Sequence, residues 1–146
     1  MKENILKIKK IDERAIIPTY GTKDSAGADL YALLDEELEI NPGESKMIST
    51  GISMAIPSGY VGLIYARSSL GCKKGLAPAN KVGVIDADYR GEIKVCLHNH
   101  STEIHKITPN ERIAQIVFTP ILQVEFQESN ELSDTNRGNG GFGSTN

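Results

Sequence analysis

Apolar residues at alternate positions, cut by turn residues about every ten positions, constrain this chain more than any other feature. Ile48 to Ile56 alternates for most of its length, and Pro57-Ser58-Gly59 stops it. Glu92 to His98 does the same, with Ile93, Val95 and Leu97 on one face. Shorter runs are Leu38-Glu39-Ile40 before Asn41-Pro42-Gly43, Tyr60 to Tyr65, and Ile113 to Ile121. Successive side chains of a strand point to opposite faces, so a period of two marks a half-buried strand. No segment carries a sustained 3.6-residue stripe. The expected fold is all-β, a sandwich or barrel. Its one short helix is expected over 67–75, with a serine as N-cap and Gly75 as terminator.

A chain of 146 residues is one domain, long enough to bury roughly two-thirds of its unfolded surface. A net charge of -3 offers no clustered cations for a nucleic-acid polymer. No apolar run approaches the ~18 residues of a membrane span, and the opening MKENILKIKKIDERA lacks the apolar centre of a signal peptide. Cys72 and Cys96 are too few for a zinc set and read as free, buried thiols in a reducing compartment, so the cytoplasm is expected. The body is expected to span 1–126. Residues 127–146 read as a linker and a flexible glycine-rich arm, because QESNELSDTN is almost without apolar anchors.

Several segments carry groups suited to chemistry. Gly83-Val84-Ile85-Asp86-Ala87-Asp88-Tyr89-Arg90-Gly91 reads as a tight hairpin, with Asp86 at the bend and Tyr89 on the returning arm. Arg67-Ser68-Ser69 offers a cation and two hydroxyls to an anion. Gln115 interrupts an apolar strand, and Asp29 sits in a small-residue run that permits close approach of another backbone. In the tail, glycine-freed amides with Ser144 and Thr145 could cradle phosphates, Arg137 could grip them, and Phe142 could stack on a ring. Taken singly, each segment reads first as ordinary surface structure: turn aspartates, a capped helix, an outward glutamine, a free terminus. His98, His100 and His105 lack a nearby carboxylate or cysteine to complete a tetrahedral metal set and read as a solvated strand end.

In order along the chain, five segments resemble the five motifs of the trimeric dUTP diphosphatases (dUTPases). They are Ala26-Gly27-Ala28-Asp29-Leu30, Ala66-Arg67-Ser68-Ser69, residues 83–91, Asn110-Glu111-Arg112-Ile113-Ala114-Gln115, and residues 137–145. The resemblance implies a jelly-roll homotrimer with sites at subunit interfaces, each sealed by a C-terminal arm. It implies that Asp86 is the general base that orients water against the α-phosphorus of dUTP, giving dUMP and diphosphate. A carboxylate of ordinary pKa ~3.9 is a weak base, so its value is positional. Tyr89 would lie under the deoxyribose and exclude a 2'-hydroxyl. Asn80 and the backbone around Gly83 and Ile93 would read uracil. Arg67, Ser68, Ser69 and Gln115 would hold phosphates from the body. Arg137, Gly143, Ser144 and Thr145 would close from the tail, with Phe142 on the base. Mg²⁺ would sit on the phosphates and reach Asp29 through water. Three positions depart from the family pattern: Ala66 replaces a usual proline, Ser69 a common glycine, and Asn110 a glycine. The rival expectations are a dCTP deaminase-like enzyme of the same fold, and a non-catalytic nucleotide sensor.

Overall fold

The computed structural model describes residues 5–144. Along the chain run β1 (Lys7–Lys10), β2 (Thr19–Tyr20), β3 (Ala28–Tyr31), β4 (Leu38–Ile40), β5 (Ser45–Ser49), β6 (Ile52–Ala55) and β7 (Tyr60–Tyr65). The helix α1 (Ser68–Gly71) follows, then β8 (Leu76–Pro78), β9 (Gly83–Ile85), β10 (Lys94–Asn99), β11 (His105–Ile107) and β12 (Arg112–Pro120). Every strand pairing is antiparallel. The largest sheet orders its strands β2-β3-β12-β7-β9, and the next is β5-β10-β8; β1 pairs with β6 and β4 with β11. This is an all-β fold, as the alternation predicts, and the jelly roll that the resemblance implies.

The inward faces meet in one core. Ile93, Val95 and Leu97 are buried with Ile40, Ile48, Leu76, Ile107, Ile113 and Ile116. Each such side chain contributes about 1.5–3 kcal/mol on leaving water, so these inward residues hold the sheets together.

Three expectations are corrected. The run Ile48 to Ile56 is two strands, because Thr50-Gly51 breaks it. Gly51 has φ +70, and a Cβ there would lie 2.7 Å from Leu33 Cδ2 and 2.9 Å from Ala15 Cβ, so the chain turns where only glycine fits. The helix is four residues rather than nine, and Arg67 occupies its N-cap without a side-chain cap bond. Gly75, at φ +67, does end the turn that follows. Residues 83–91 are not a two-stranded hairpin. β9 pairs only with β7, and the chain then bends at Asp86 and crosses to β10, which pairs with β5 and β8.

Candidate active site

One rung of the largest sheet organises a polar cavity. Asp29 on β3 lies opposite Gln115 on β12, which lies opposite Tyr65 on β7; Ala66-Arg67-Ser68 leave the sheet just beyond that rung. A register shift in β12 between Arg112 and Ala114 buries Ile113 and Ala114 in succession. That bulge brings Arg112 and Gln115, three positions apart, to the same site. Arg67 Nε donates to Asp29 Oδ1 at 2.7 Å, and Arg112 Nη1 donates to Asp29 Oδ2 at 3.4 Å. Arg67 Nη1 also donates to Ser69 Oγ at 3.2 Å. Gln115 Nε2 donates to the Ala66 carbonyl at 2.9 Å.

Gly27 makes this packing feasible. A Cβ at that position would strike Gln115 Oε1 and lie 3.0 Å from its Cδ and 3.2 Å from its Cβ. The small-residue run therefore admits a side chain rather than a second backbone. Gly21, Ser25, Ala26, Gly27, Asp29, Arg67, Ser68 and Gln115 line a cavity of about 310 Å³. One guanidinium, hydroxyls and an amide around such a space suit an anion. Asn110, which departs from the family pattern, has φ +64. Asn is among the few residues that adopt this left-handed backbone readily, so the turn that enters β12 keeps its shape.

The segment 83–91 forms a second cluster. Asp86 is exposed, and its carbonyl accepts the Tyr89 N–H at 3.1 Å, closing a turn. Arg90 Nη1 donates to the carbonyls of Ala87 at 2.6 Å and Tyr89 at 3.0 Å, clamping the same turn. Tyr89 Oη donates to the Glu92 carbonyl at 2.9 Å. Asn80 is exposed beside the buried Gly83; its Nδ2 lies 3.6 Å from where a Gly83 Cβ would stand. Ile93 is not available to read a base. Its side chain is fully buried, its N–H donates to the Ile52 carbonyl, and its own carbonyl accepts from the Thr50 N–H and Oγ1.

The arm stands apart. After Ile121, whose N–H donates to the Gly59 carbonyl, the hydrogen bonds among the described residues of the arm stay within it. Arg137 Nε donates to the Gly140 carbonyl at 2.9 Å, and the Ser144 N–H donates to the Gly141 carbonyl. Phe142 is fully exposed with φ +53, and Gly143 follows at φ +86. Thr145 lies outside the described residues. A larger groove, about 720 Å³, is apolar and is lined in part by Ile5, Ile8, Pro18, Met54 and Phe118. It contains none of the chemistry-bearing residues, so size does not mark the site.

His98 and His100 share β10 and its end, with ring centroids 4.4 Å apart, and Ser45 Oγ bonds His98 Nδ1. His105 lies on β11. Desolvation, then the charges of Lys81 and His98, hold His100 below the usual imidazole range. Among the described residues no group of three or more His, Cys, Asp or Glu is arranged to hold a metal. Cys72 is exposed and Cys96 half-buried, so the expectation of two buried thiols is corrected.

Gly21 and Ser25, outside the five motifs, line the anion cavity, and Ala26 and Arg112, motif members with no role assigned from the sequence, join the cavity and its ion pair. The bulge hid Arg112, since strict alternation would send it to the face opposite Gln115.

An all-β jelly roll whose largest sheet carries a polar cavity of one guanidinium, one carboxylate, hydroxyls and an amide defines a protein equipped to hold an anion. The dUTPase family model matches residues 13–146. The chain is 53% identical to the deoxyuridine 5'-triphosphate nucleotidohydrolase of Nautilia profundicola, over 96% of this chain and 97% of that protein. It is 49% identical to that of Trichodesmium erythraeum, again over 96% and 97%. Among solved structures, the Staphylococcus bacteriophage 80alpha dUTPase with dUpNHpp superposes with a TM-score of 0.88 at 30% identity, covering 98% of this chain and 99% of that one. A dUTPase of phage phi11 of S. aureus, described with a structural Mg(II) ion, superposes at 0.81 with 25% identity, covering 90% of this chain and 100% of that one. The chain belongs to the dUTPase family.

Proposed function

We propose that this protein is a Mg²⁺-dependent dUTP diphosphatase that hydrolyses dUTP to dUMP and diphosphate. This removes a source of uracil in DNA and supplies dUMP for thymidylate synthesis. The observation that carries the reading is the cavity in which Gly27, Asp29, Arg67, Ser68 and Gln115 converge from three distant motifs. Arg67, Ser68, Ser69 and Gln115 bind the phosphate chain there. Asp86 accepts a proton from water as its oxygen forms a bond to the α-phosphorus; the bond from that phosphorus to the bridging oxygen breaks, and diphosphate leaves. Tyr89 lies against the deoxyribose, and Asn80 with the backbone at Gly83 reads uracil.

The residues fit Mg²⁺ held outside the protein's direct ligand sphere. Asp29 is the one carboxylate lining the cavity among the described residues, and both its oxygens already receive guanidinium donors. An ion that keeps several waters, held by substrate phosphates and by Asp29 through water, needs no protein cage. When bound, it neutralises charge on the triphosphate. The cavity's own lining offers one formal positive and one formal negative side chain, too little to neutralise that ligand alone.

The working form is a homotrimer whose subunits complete each other's sites. The phosphate cavity includes no residue of 80–93, and Asp86 is exposed to solvent within one chain. The C-terminal end also carries apolar residues that one chain leaves uncovered: Leu122 is 86% exposed and Phe126 94% at the end of the body, and Leu132 is 90% exposed in the arm. A body of 1–126 with an arm at 127–146, in which Arg137, Phe142, Gly143, Ser144 and Thr145 close over the nucleotide, uses that surface. No helix among the described residues is long and apolar enough to cross a membrane. We place the enzyme in the cytoplasm, where nucleotide pools and free thiols coexist.

The test is a diphosphate-release assay with dUTP, UTP, dTTP and dCTP in the presence of Mg²⁺. Selective turnover of dUTP is expected. Ammonia from dCTP would replace the proposal with deamination, and binding without turnover would favour a sensor.

A further inference from the structure

We infer that Gly91 is a positioning residue for sugar selection: its missing side chain is the seat on which the Tyr89 ring rests. This deepens the reading of Tyr89 as the sugar test and rests on it. Gly91 is not in the left-handed region, so its backbone does not require glycine. What requires glycine is the ring. A Cβ at position 91 would collide with Tyr89 Oη and lie 2.6 Å from Cζ and 2.9 Å from Cε2, closer than carbon atoms approach without something shifting. Alanine there would adopt the backbone freely and expel only the ring.

The ring is held by three local devices. Its hydroxyl donates to the Glu92 carbonyl at 2.9 Å. Its main chain is tied to Asp86 by the turn, and Arg90 clamps that turn through two carbonyls. Glu92 is anchored in turn, since its Oε1 accepts the Gly51 N–H at 3.0 Å, which ties the loop to the break between β5 and β6. With 44% of the residue exposed, Tyr89 has little packing to restrain it. The seat at Gly91 and the bond to Glu92 therefore decide where the ring stands.

A steric wall rejects an added hydroxyl only where the wall does not move. Gly91→Ala displaces the ring, breaks its bond to Glu92 and makes the wall soft. The experiment measures kcat/KM for dUTP and UTP, and the melting temperature, for the wild type, Gly91→Ala, Tyr89→Ala, the double variant and Tyr89→Phe. The dUTP/UTP ratio should fall at least about tenfold in Gly91→Ala, with little change in melting temperature. In the Tyr89→Ala background the same substitution should change the ratio less than about twofold, because the partner of the collision is gone. Tyr89→Phe adds no atom and keeps the fold, and should lose part of the ratio through the missing bond to Glu92. An undiminished effect of Gly91→Ala in the Tyr89→Ala background would overturn the seat. So would an unchanged ratio in Gly91→Ala, or in Tyr89→Phe, while Tyr89→Ala collapses it; in those cases the sugar reading survives alone. An unchanged ratio in Tyr89→Ala would remove both.

Discussion

Asp29→Asn tests whether the anion cavity is held open by its own ion pair. The substitution preserves shape and removes one charge. At an effective dielectric of about 20, the 2.7 Å contact to Arg67 corresponds to about 6 kcal/mol of attraction, and the 3.4 Å contact to Arg112 to about 5. Desolvation offsets most of this, because the Asp29 and Arg67 side chains are only 12% and 21% exposed. Exposed pairs are worth about 0–1 kcal/mol, and breaking a fully buried one costs about 3–5. A pair with this burial lies between, so Asp29→Asn should cost about 2 kcal/mol. That corresponds to a fall of roughly 4–8 °C in melting temperature for a chain of this size. The assay is denaturant unfolding without nucleotide or Mg²⁺, so it reads the ion pair alone, and the slope should stay constant. Arg67→Lys, which keeps the charge and loses the fork, should fall between the two proteins. A midpoint for Asp29→Asn indistinguishable from the wild type would refute the account, since two guanidiniums would then be gathered at no energetic consequence.

Asp86→Asn should lower turnover by about 10²–10⁴ while leaving binding of a non-hydrolysable dUTP analogue within a few-fold, measured by calorimetry beside diphosphate release; equal losses in both would remove the base assignment. Deleting residues 137–146 should cripple hydrolysis and leave the oligomer intact by sedimentation, and a normal rate would sink closure by the arm. Acid stability should depend on Asp12, whose carboxyl is lowered from 3.8 to about 2, chiefly by the Arg14 side chain and then by the Arg14 N–H. Because the folded value is the lower one, its contribution is complete above about pH 4 and is lost as pH falls through about 2, so Asp12→Asn should flatten the stability curve across that window. An unaltered slope there would show that the pair with Arg14 forms equally in the unfolded chain.

Alternation was enough to read the buried face of β10 and the extent of β7, because those strands bury one face against a continuous core. It failed at Gly51, since a left-handed residue forced by Leu33 and Ala15 leaves no mark on a local pattern. Arg67, Asp29 and Gln115 were legible as motif members, yet their mutual contacts were not. The glutamine lying over Gly27, and the bulge that swings Arg112 to Asp29, are products of strand register. Ile93 was misread for a related reason: a main chain near a predicted hairpin looks free until the neighbouring β5–β6 turn takes both its polar atoms.

The rung that joins β3, β12 and β7 also sets when the cavity can exist. Its bonds close very long loops: Arg67 to Asp29 spans 38 residues, Gln115 to Ala66 spans 49, and Arg112 to Asp29 spans 83. Contacts this distant must be reached by chain closure before they return any stability, which places them late in folding. A chain emerging during synthesis carries Asp29 and Arg67 long before β12 arrives to wall them in. A ligand held there would therefore stabilise only the completed molecule.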